Sequence, residues 1–356
     1  MSSKGIYLTL WIGRTIPKPA NRELAEALQS VEVTLNDKER SGFQLTFQTA
    51  NGSVRGIDEI QPFSRVILMV TLGAVQKVLM DGIIAHKQLT PGREPGTSTL
   101  TATGEDVSIM MDLDQRDLPH PGQHEADIAR SIISAYSNYG LTEDVTDPRD
   151  INRPSVDRWT PRQYGTDLEY LKNMADRYAF VFYVVSGPKP QKNVAYWGPP
   201  PNLNATPQRA LNVNLGPQSN VESINFRYDA LSPTQTFGQV QDPETNQIEN
   251  IEISSSQRPA ISGQPAIATQ SHVRRRLLSH SGLDARQALI RAQSMTDASV
   301  DETVTADGEL NGLRYALMYG DFLRPRDLVD LRGAGHGYDG TWYVKRVTHN
   351  IQRGEY

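Results

Sequence analysis

The sequence predicts a mainly β protein interrupted by an α+β stretch. Three observations carry this. Short strands with period-two alternation crowd residues 5–115, a helix–strand–strand unit follows before residue 201, and strand patterning returns after Val221.

In the first region Ile6, Leu8 and Leu10 alternate with Tyr7 and Thr9. Val31, Val33 and Leu35 alternate with Glu32, Thr34 and Asn36, and Phe43, Leu45 and Phe47 follow Ser41-Gly42. Further strands are expected at Val66–Val70, Lys77–Ala85 and Ser98–Thr103, with turns at Gly73, Asp81-Gly82 and Pro91-Gly92. Between the first two strands, Leu24, Ala25 and Leu28 share a face of one helical segment. Strands at this spacing, joined by turn chemistry, imply an antiparallel barrel or sandwich.

From Leu118 the period changes. His124 to Tyr139 is helical, with Ile128, Ile132 and Tyr136 on one stripe and Gly140 as its stop. After a proline-rich loop, Thr166-Asp-Leu-Glu169 is a capping box that starts a second helix. Leu168, Leu171, Ala175 and Tyr178 form its buried face. It runs into Ala179–Val185, an apolar run that reads as a fully buried strand, with Val194–Trp197 as hairpin partner.

Val221, Ile224, Phe226 and Tyr228 mark the return of strands. Residues 232–271 are rich in Gln, Ser, Pro and Asn, so an exposed loop, ordered by a partner, is expected there. Asp284 to Ala298 is a helix with Ala288, Leu289, Ala292 and Met295 inward, and Val300 to Leu310 follows as β structure. Asp321 to Ile351 then reads as a hairpin. Leu328, Val329 and Leu331 form one arm, Trp342, Tyr343, Val344 and Val347 the other, and Gly333, Gly335, Gly337 and Gly340 the turn. Aromatic and β-branched residues on both faces of the second arm call for cover on both sides, which makes this an assembly element. No tandem repeat is visible, although the two β-rich regions can share a fold.

With 356 residues the chain can hold two or three domains. Its apolar share of 38% and charged share of 22% are ordinary for a soluble protein. A net charge of −5 argues against a nucleic-acid partner. The absence of cysteine excludes disulfides, thiolate catalysis and zinc–thiolate sites. It fits a cytoplasmic protein and equally a particle released outside the cell. No stretch approaches the roughly 20 apolar residues of a membrane span, and Val66 to Met80 contains Gln76 and Lys77. Direct membrane insertion is therefore not expected. The run Ile6 to Gly13 lacks a basic start and a cleavage site, so synthesis in the cytoplasm without a signal peptide is expected.

Several motifs invite a chemical reading. Gly333-Ala-Gly335-His-Gly337 suggests a phosphate loop, but a strand follows where a helix N-terminus is needed. His120-Pro-Gly-Gln-His124 has metal-like spacing, yet Pro-Gly breaks the helix that would align the rings, leaving a loop with two exposed histidines. Asp112, Asp114 and Asp117, with Glu105 and Asp106 upstream, lack the glycine and terminal Glu of a calcium loop and read as a solvated acidic turn. There is no Gly-x-Ser-x-Gly elbow. Arg274–Arg276 reads as a solvated helix start or an interface patch. Trp11, Trp159, Trp197 and Trp342 read as core or subunit contacts rather than a sugar platform. No catalytic, cofactor-binding or metal-ligating residue is assigned, no cofactor is expected, and the chain is not expected to be an enzyme.

Three segments carry a resemblance. RPRDLVDLRG and YDGTWYVKRVTH near the end, VLMDGIIAH with TLTATGEDVSIMMDL in the first region, and DLEYLKNMADRYAFVFYV with YWGPP in the middle occur in this order. Together they resemble the phage late-control protein D family. These are baseplate hub proteins of contractile tails and phage-derived contractile injection systems, related to the front part of type VI secretion spike proteins. The resemblance implies two small β-barrel tube domains flanking an inserted α/β domain, divided as residues 1–117, 118–215 and 216–356, with the polar loop at 232–271 inserted in the last. It implies a homotrimer, a ring of pseudo-six-fold symmetry that joins a six-fold inner tube to a three-fold spike. The sequence stops after the hub's last strands, so the spike is expected to be a separate protein. Inner tube or tube-initiator proteins and other baseplate proteins are the remaining expected partners. A glycan hydrolase using acidic residues, or a carbohydrate-binding module, is the competing expectation.

Overall fold

The computed structural model describes the chain apart from residues 1, 4–5, 15, 50–56, 74, 95, 149–159, 201–204, 242–245, 258–271, 279–284, 336 and 353–355. Strand exceeds helix by 47% to 23%, as a mainly β protein requires. The expected closed barrels are not seen. Several sheets are present, and none of them closes among the described residues.

The largest sheet gathers β1 (Ser2–Ser3), β2 (Ile6–Gly13), β3 (Lys18–Pro19), β4 (Leu28–Asn36), β5 (Gly42–Thr49), β6 (Arg65–Leu72), β7 (Val75–Thr90) and β8 (Ser98–Asp106). Its ninth member is β22 (Arg346–Gln352), from the far end of the chain. The order is β1-β2-β6-β7-β8-β5-β4-β22, with β3 also on β2, and the terminal strands do not meet. Helix α1 (Arg22–Ala27) starts at Asn21, whose side chain accepts from the Leu24 amide at 2.8 Å, and buries Leu24 and Leu28 in the core. Val31, Val33, Phe43, Leu45 and Phe47 are inward, as their alternation predicts. Asp81-Gly82 is not a turn. It lies inside the 16-residue β7, where a Cβ on Gly82 would strike the Glu105 carbonyl and the Phe43 ring.

The middle of the chain contributes β9 (Gln115–Pro119), α2 (Glu125–Ala135), β10 (Leu141–Val145), β11 (Arg162–Thr166), α3 (Asp167–Arg177), β12 (Val181–Ser186) and β13 (Asn193–Gly198). Strands β12 and β13 form the expected hairpin, and β10, in the stretch expected to be a proline-rich loop, joins β13 in parallel. Gly140 ends the α2 region at φ +74°, and the Thr166–Glu169 capping box opens α3. One core holds Ile128, Ile132, Leu171, Met174, Phe182 and Trp197. Strand β12 is half-buried rather than fully buried: Phe182 and Val184 point inward while Val185 is exposed.

The remaining elements are β14 (Gln208–Asn212), β15 (Val221–Tyr228), β16 (Thr234–Gln241), β17 (Ile248–Ile253), β18 (Arg274–Leu277), α4 (Ala285–Asp301), β19 (Val304–Leu310), α5 (Gly312–Tyr319), β20 (Leu328–Arg332) and β21 (Gly340–Tyr343). The expected polar loop instead carries two antiparallel strands, β16 and β17, which form a sheet with β18 in the order β17-β16-β18, while residues 242–245 and 258–271 lie outside the described residues. Its inward positions on β16 are Thr236, Gly238 and Val240, too small and polar to advertise a strand. Arg274–Arg276 lies on β18 and not at a helix start. On α4, Ala288 and Ala292 are buried but Leu289 is exposed.

The terminal hairpin is shorter than predicted. Only β20 and β21 pair, and Val347 belongs to β22, which leaves to pair with β4 from Arg346↔Asn36 to Gln352↔Ser30. His349 sits at that seam. It is buried edge-on to Phe322 at 5.5 Å, and its Nδ1 shares a hydrogen bond of 3.0 Å with the Tyr356 hydroxyl. Burial drives its pKa down to about 4, against an opposing contribution from the Leu323 carbonyl. The unfolded chain takes up this proton near its ordinary pKa of about 6.5, the folded chain only near 4, so stability is lost as pH falls across that window. At pH 5 the loss is about 2 kcal/mol. Urea unfolding at pH 7 and pH 5 is expected to show a smaller pH-dependent loss for His349→Phe than for the native chain. Equal losses would remove His349 as the cause.

Candidate functional site

Polar junctions tie separate segments of the chain to one another, and one of them is a buried ion pair. Arg65 on β6 and Asp81 on β7 form a two-pronged pair, Nε to Oδ1 at 2.7 Å and Nη2 to Oδ2 at 2.9 Å. Both side chains are nearly withdrawn from solvent, at 9% and 1% exposure. The remaining capacity is spent on the middle region. Arg65 Nη2 donates to the Tyr139 carbonyl at 2.7 Å, and the Gln191 amide donates to Asp81 Oδ2 at 3.1 Å. The Asp81 amide donates to Ser186 Oγ at 2.9 Å. Gly140 is confined to glycine here, since a Cβ would collide with the Gln191 carbonyl as well as suffer its positive φ.

A second junction uses Arg326, between α5 and β20. Its guanidinium lies 4.0 Å over the Tyr183 ring and its Nε donates to the Asp37 carbonyl at 3.1 Å. Burial lowers its pKa, and Tyr183 and Asp106 counter this. Asp106 closes the GED motif as a cap. Its carboxylate accepts from the Ser41 amide at 2.8 Å and from the Ser108 amide at 3.0 Å, while burial raises its pKa. Lys77–Asp321 at 2.8 Å and Arg291–Asp176 at 3.1 Å complete the ties.

The motifs weighed for chemistry are absorbed by structure. His124 is buried and its Nδ1 accepts from the Ala126 amide at 3.2 Å as the cap of α2, contrary to an exposed loop histidine. His120 stacks on Tyr170 at 5.8 Å. No cluster of metal-binding side chains occurs among the described residues. Arg40 pairs with both Glu105 and Asp112, and Arg162 holds Asp117. Trp197 is fully buried with its indole N–H on the Leu171 carbonyl at 3.1 Å, and Trp159 lies outside the described residues. Gly333 and Gly335 adopt positive φ in the β20–β21 turn. No helix among the described residues is long and apolar enough to cross a membrane.

Sequence reading missed one feature, a cleft of about 630 Å³ between the β15–β19 ribbon and the β14–β20–β21 sheet. Ile224, Leu310, Val329, Leu331 and Trp342 give it an apolar floor, and acidic side chains crowd its rim. Only the apolar content of the separate strands signalled it, because the gap is created by two sheets that do not join.

Comparison of the sequence with family models and with curated proteins gives no match. The fold does match. A tail protein from Neisseria meningitidis superposes with a TM-score of 0.65 at 13% identity, over 98% of this chain and 93% of that one. The 43 kDa tail protein of prophage MuSo2 from Shewanella oneidensis gives 0.65 and 13%, over 98% and 95%. This chain has the fold of phage tail proteins. A chain of the Francisella PdpA–VgrG complex gives 0.60 at 12% identity, over 99% of this chain and 55% of that one. The fold match to the two tail proteins thus extends over 98% of this chain.

Removing one member of the Arg65–Asp81 pair leaves a buried charge unpaired. Arg65→Met is expected to cost about 3–5 kcal/mol in denaturant unfolding. Arg65→Met combined with Asp81→Leu should recover part of that loss. A single-variant cost below 1 kcal/mol would deny the pair its structural role.

Proposed function

We propose that this chain is the baseplate hub of a contractile particle, a phage tail or a phage-derived injection system. Three copies form a ring. Each contributes two β-rich tube units, from residues 1–117 and 216–356, on either side of the α/β part at 118–215. The ring presents six similar units to a six-fold inner tube and three equivalent positions to a separate spike protein. Strands β1 and β22, open at the ends of the large sheet, pair across copies, which removes exposed edges. Other baseplate proteins surround the ring in the assembled particle.

One observation carries this reading. The match spans 98% of this chain and over nine-tenths of both tail proteins, so it concerns whole proteins rather than one shared module. The three sequence segments that resemble hub proteins supply the same assignment independently. The motif residues at the junctions are engaged in folding, which suits a structural part.

The competing reading is a glycan hydrolase or carbohydrate-binding module, and the cleft with Trp342 and acidic neighbours favours it. Against it, Trp342 is occupied. Its indole N–H donates to the Tyr338 carbonyl at 3.0 Å and its ring packs on Phe226 at 5.7 Å.

Light scattering after size exclusion, on the chain alone and with its spike protein, should report a trimer in at least one condition. A monomer in both would overturn the ring, and glycan binding and hydrolysis assays would then test the second reading.

A further inference from the structure

The small sheet β17-β16-β18 ends in two open edges of opposite charge. Strand β18 is one edge, since it pairs in parallel with β16 and with no other strand among the described residues. All four of its residues, Arg274 to Leu277, are exposed, Leu277 at 59%. Strand β17 is the other edge, paired in antiparallel with β16 alone among the described residues. Its first three residues are exposed, Ile248 at 67%, followed by Glu249 and Asn250. Open edges of this kind are templates for a further strand.

Part of the charge is spent inside the sheet. Arg275 is held by Glu252 at 3.1 Å and lies over the Phe237 ring at 4.5 Å. Arg274, Arg276 and Glu249 make no ion pair among the described residues. The register fixes the side on which each stands. On β16, Thr236 bonds Thr296 of α4 and Val240 packs with Ala288 and Ala292, so both turn toward that helix. Arg276 lies beside Thr236 and Glu249 beside Val240, which puts the two charges on the α4 side. Leu277 lies beside Phe237 and Ile248 beside Gln241, on the opposite side.

We propose that β18 of one copy pairs in antiparallel with β17 of a second copy, joining their small sheets edge to edge. Within one copy β17 runs against β16 and β18 runs with it, so a neighbour in the same orientation presents β17 antiparallel to β18. Setting Leu277 opposite Ile248 then sets Arg276 opposite Glu249 and Arg275 opposite Asn250. The apolar pair meets on one side of the joined sheet and the ion pair on the other, so a single register satisfies both. A slip of one residue puts every partner on the wrong side. Charge disfavours like edges, because β18 against β18 sets arginine against arginine. The contact joins two different surfaces, so repetition produces a ring or a filament rather than an isolated pair. This inference rests on the ring reading and names a contact within it.

The chain has no cysteine, which allows a clean test. Leu277→Cys and Ile248→Cys are made in separate chains, mixed with and without the spike protein, and mildly oxidised. Residues directly opposite in an antiparallel pair are close enough for a disulfide. A linked dimer is expected from the mixture and from neither variant alone. Adding Arg276→Glu to the first chain should lower the yield several-fold, and adding Glu249→Arg to the second should restore it. An unchanged yield overturns the register. A trimeric native mass without the mixed crosslink overturns this contact but leaves the ring standing. A monomeric native mass in both conditions, without a crosslink, overturns both. In a chain carrying both cysteines the covalent ladder should stop at three copies; a longer ladder would support the contact and overturn the ring. Crosslinking within each single variant points to a symmetric contact and overturns this one.

Discussion

The pairing of β22 with β4 is the constraint on which the rest of the structure depends. It joins residues such as Thr34 and Thr348, 314 positions apart, whose hydroxyls hydrogen-bond at 3.1 Å. Everything between them is in effect one long insertion between neighbouring strands of a single sheet. Closing so large a loop costs entropy that must be recovered by burial at the seam. The recovery is visible: Ile351, Phe322 and Ala316, all from the chain's end, complete the core built by residues 8–102. Helix α5 serves both sides of this closure. Ala316 enters that core, and Tyr315 packs with Val329 and Leu323 in the next one.

Given that closure, the other junctions need only orient what lies inside it. Arg65–Asp81 fixes the α/β part against β6 and β7, and Arg326 fixes the approach to β20 against Asp37 and Tyr183. Buried pairs of this kind contribute little net stability because desolvation offsets the attraction. Their geometry is demanding, however, and a charge pair that also bonds the Tyr139 carbonyl and the Gln191 amide specifies one relative placement. The motifs that suggest hub proteins are the same residues: Asp81-Gly82 and Gly104-Glu105-Asp106 meet across β7 and β8, with the two glycines flanking the Phe43 ring.

Most of the first sheet was legible because β4 and β5 have one face in the core and alternate accordingly. The capping box of α3 was legible because it is local. What failed was non-local or chemically quiet. The terminal hairpin was drawn too long because apolar content marks Val347 as strand without naming its partner, which is β4 and not β20. The β16 strand was read as loop because Thr236, Gly238 and Val240 bury little apolar area. Thr236 satisfies its hydroxyl against Thr296 at 3.0 Å, and Gly238 lets Leu278 approach. His124 was read as exposed because nothing in its neighbours announces a buried cap. The cleft had no local signature beyond the apolar content of its separate strands.

The two β-rich ends are not equal in construction, and this bears on how a ring would use them. One is a nine-stranded sheet with a continuous core, the other three small sheets, two of which leave a gap between them. Six-fold likeness would therefore have to reside in the outer surfaces presented to a tube, since the interiors differ. An incomplete interior also has a physical consequence. Apolar area left at the floor of a cleft is unfavourable in water and favourable once covered. A subunit that completes one of its cores only against a neighbour gains stability by assembling.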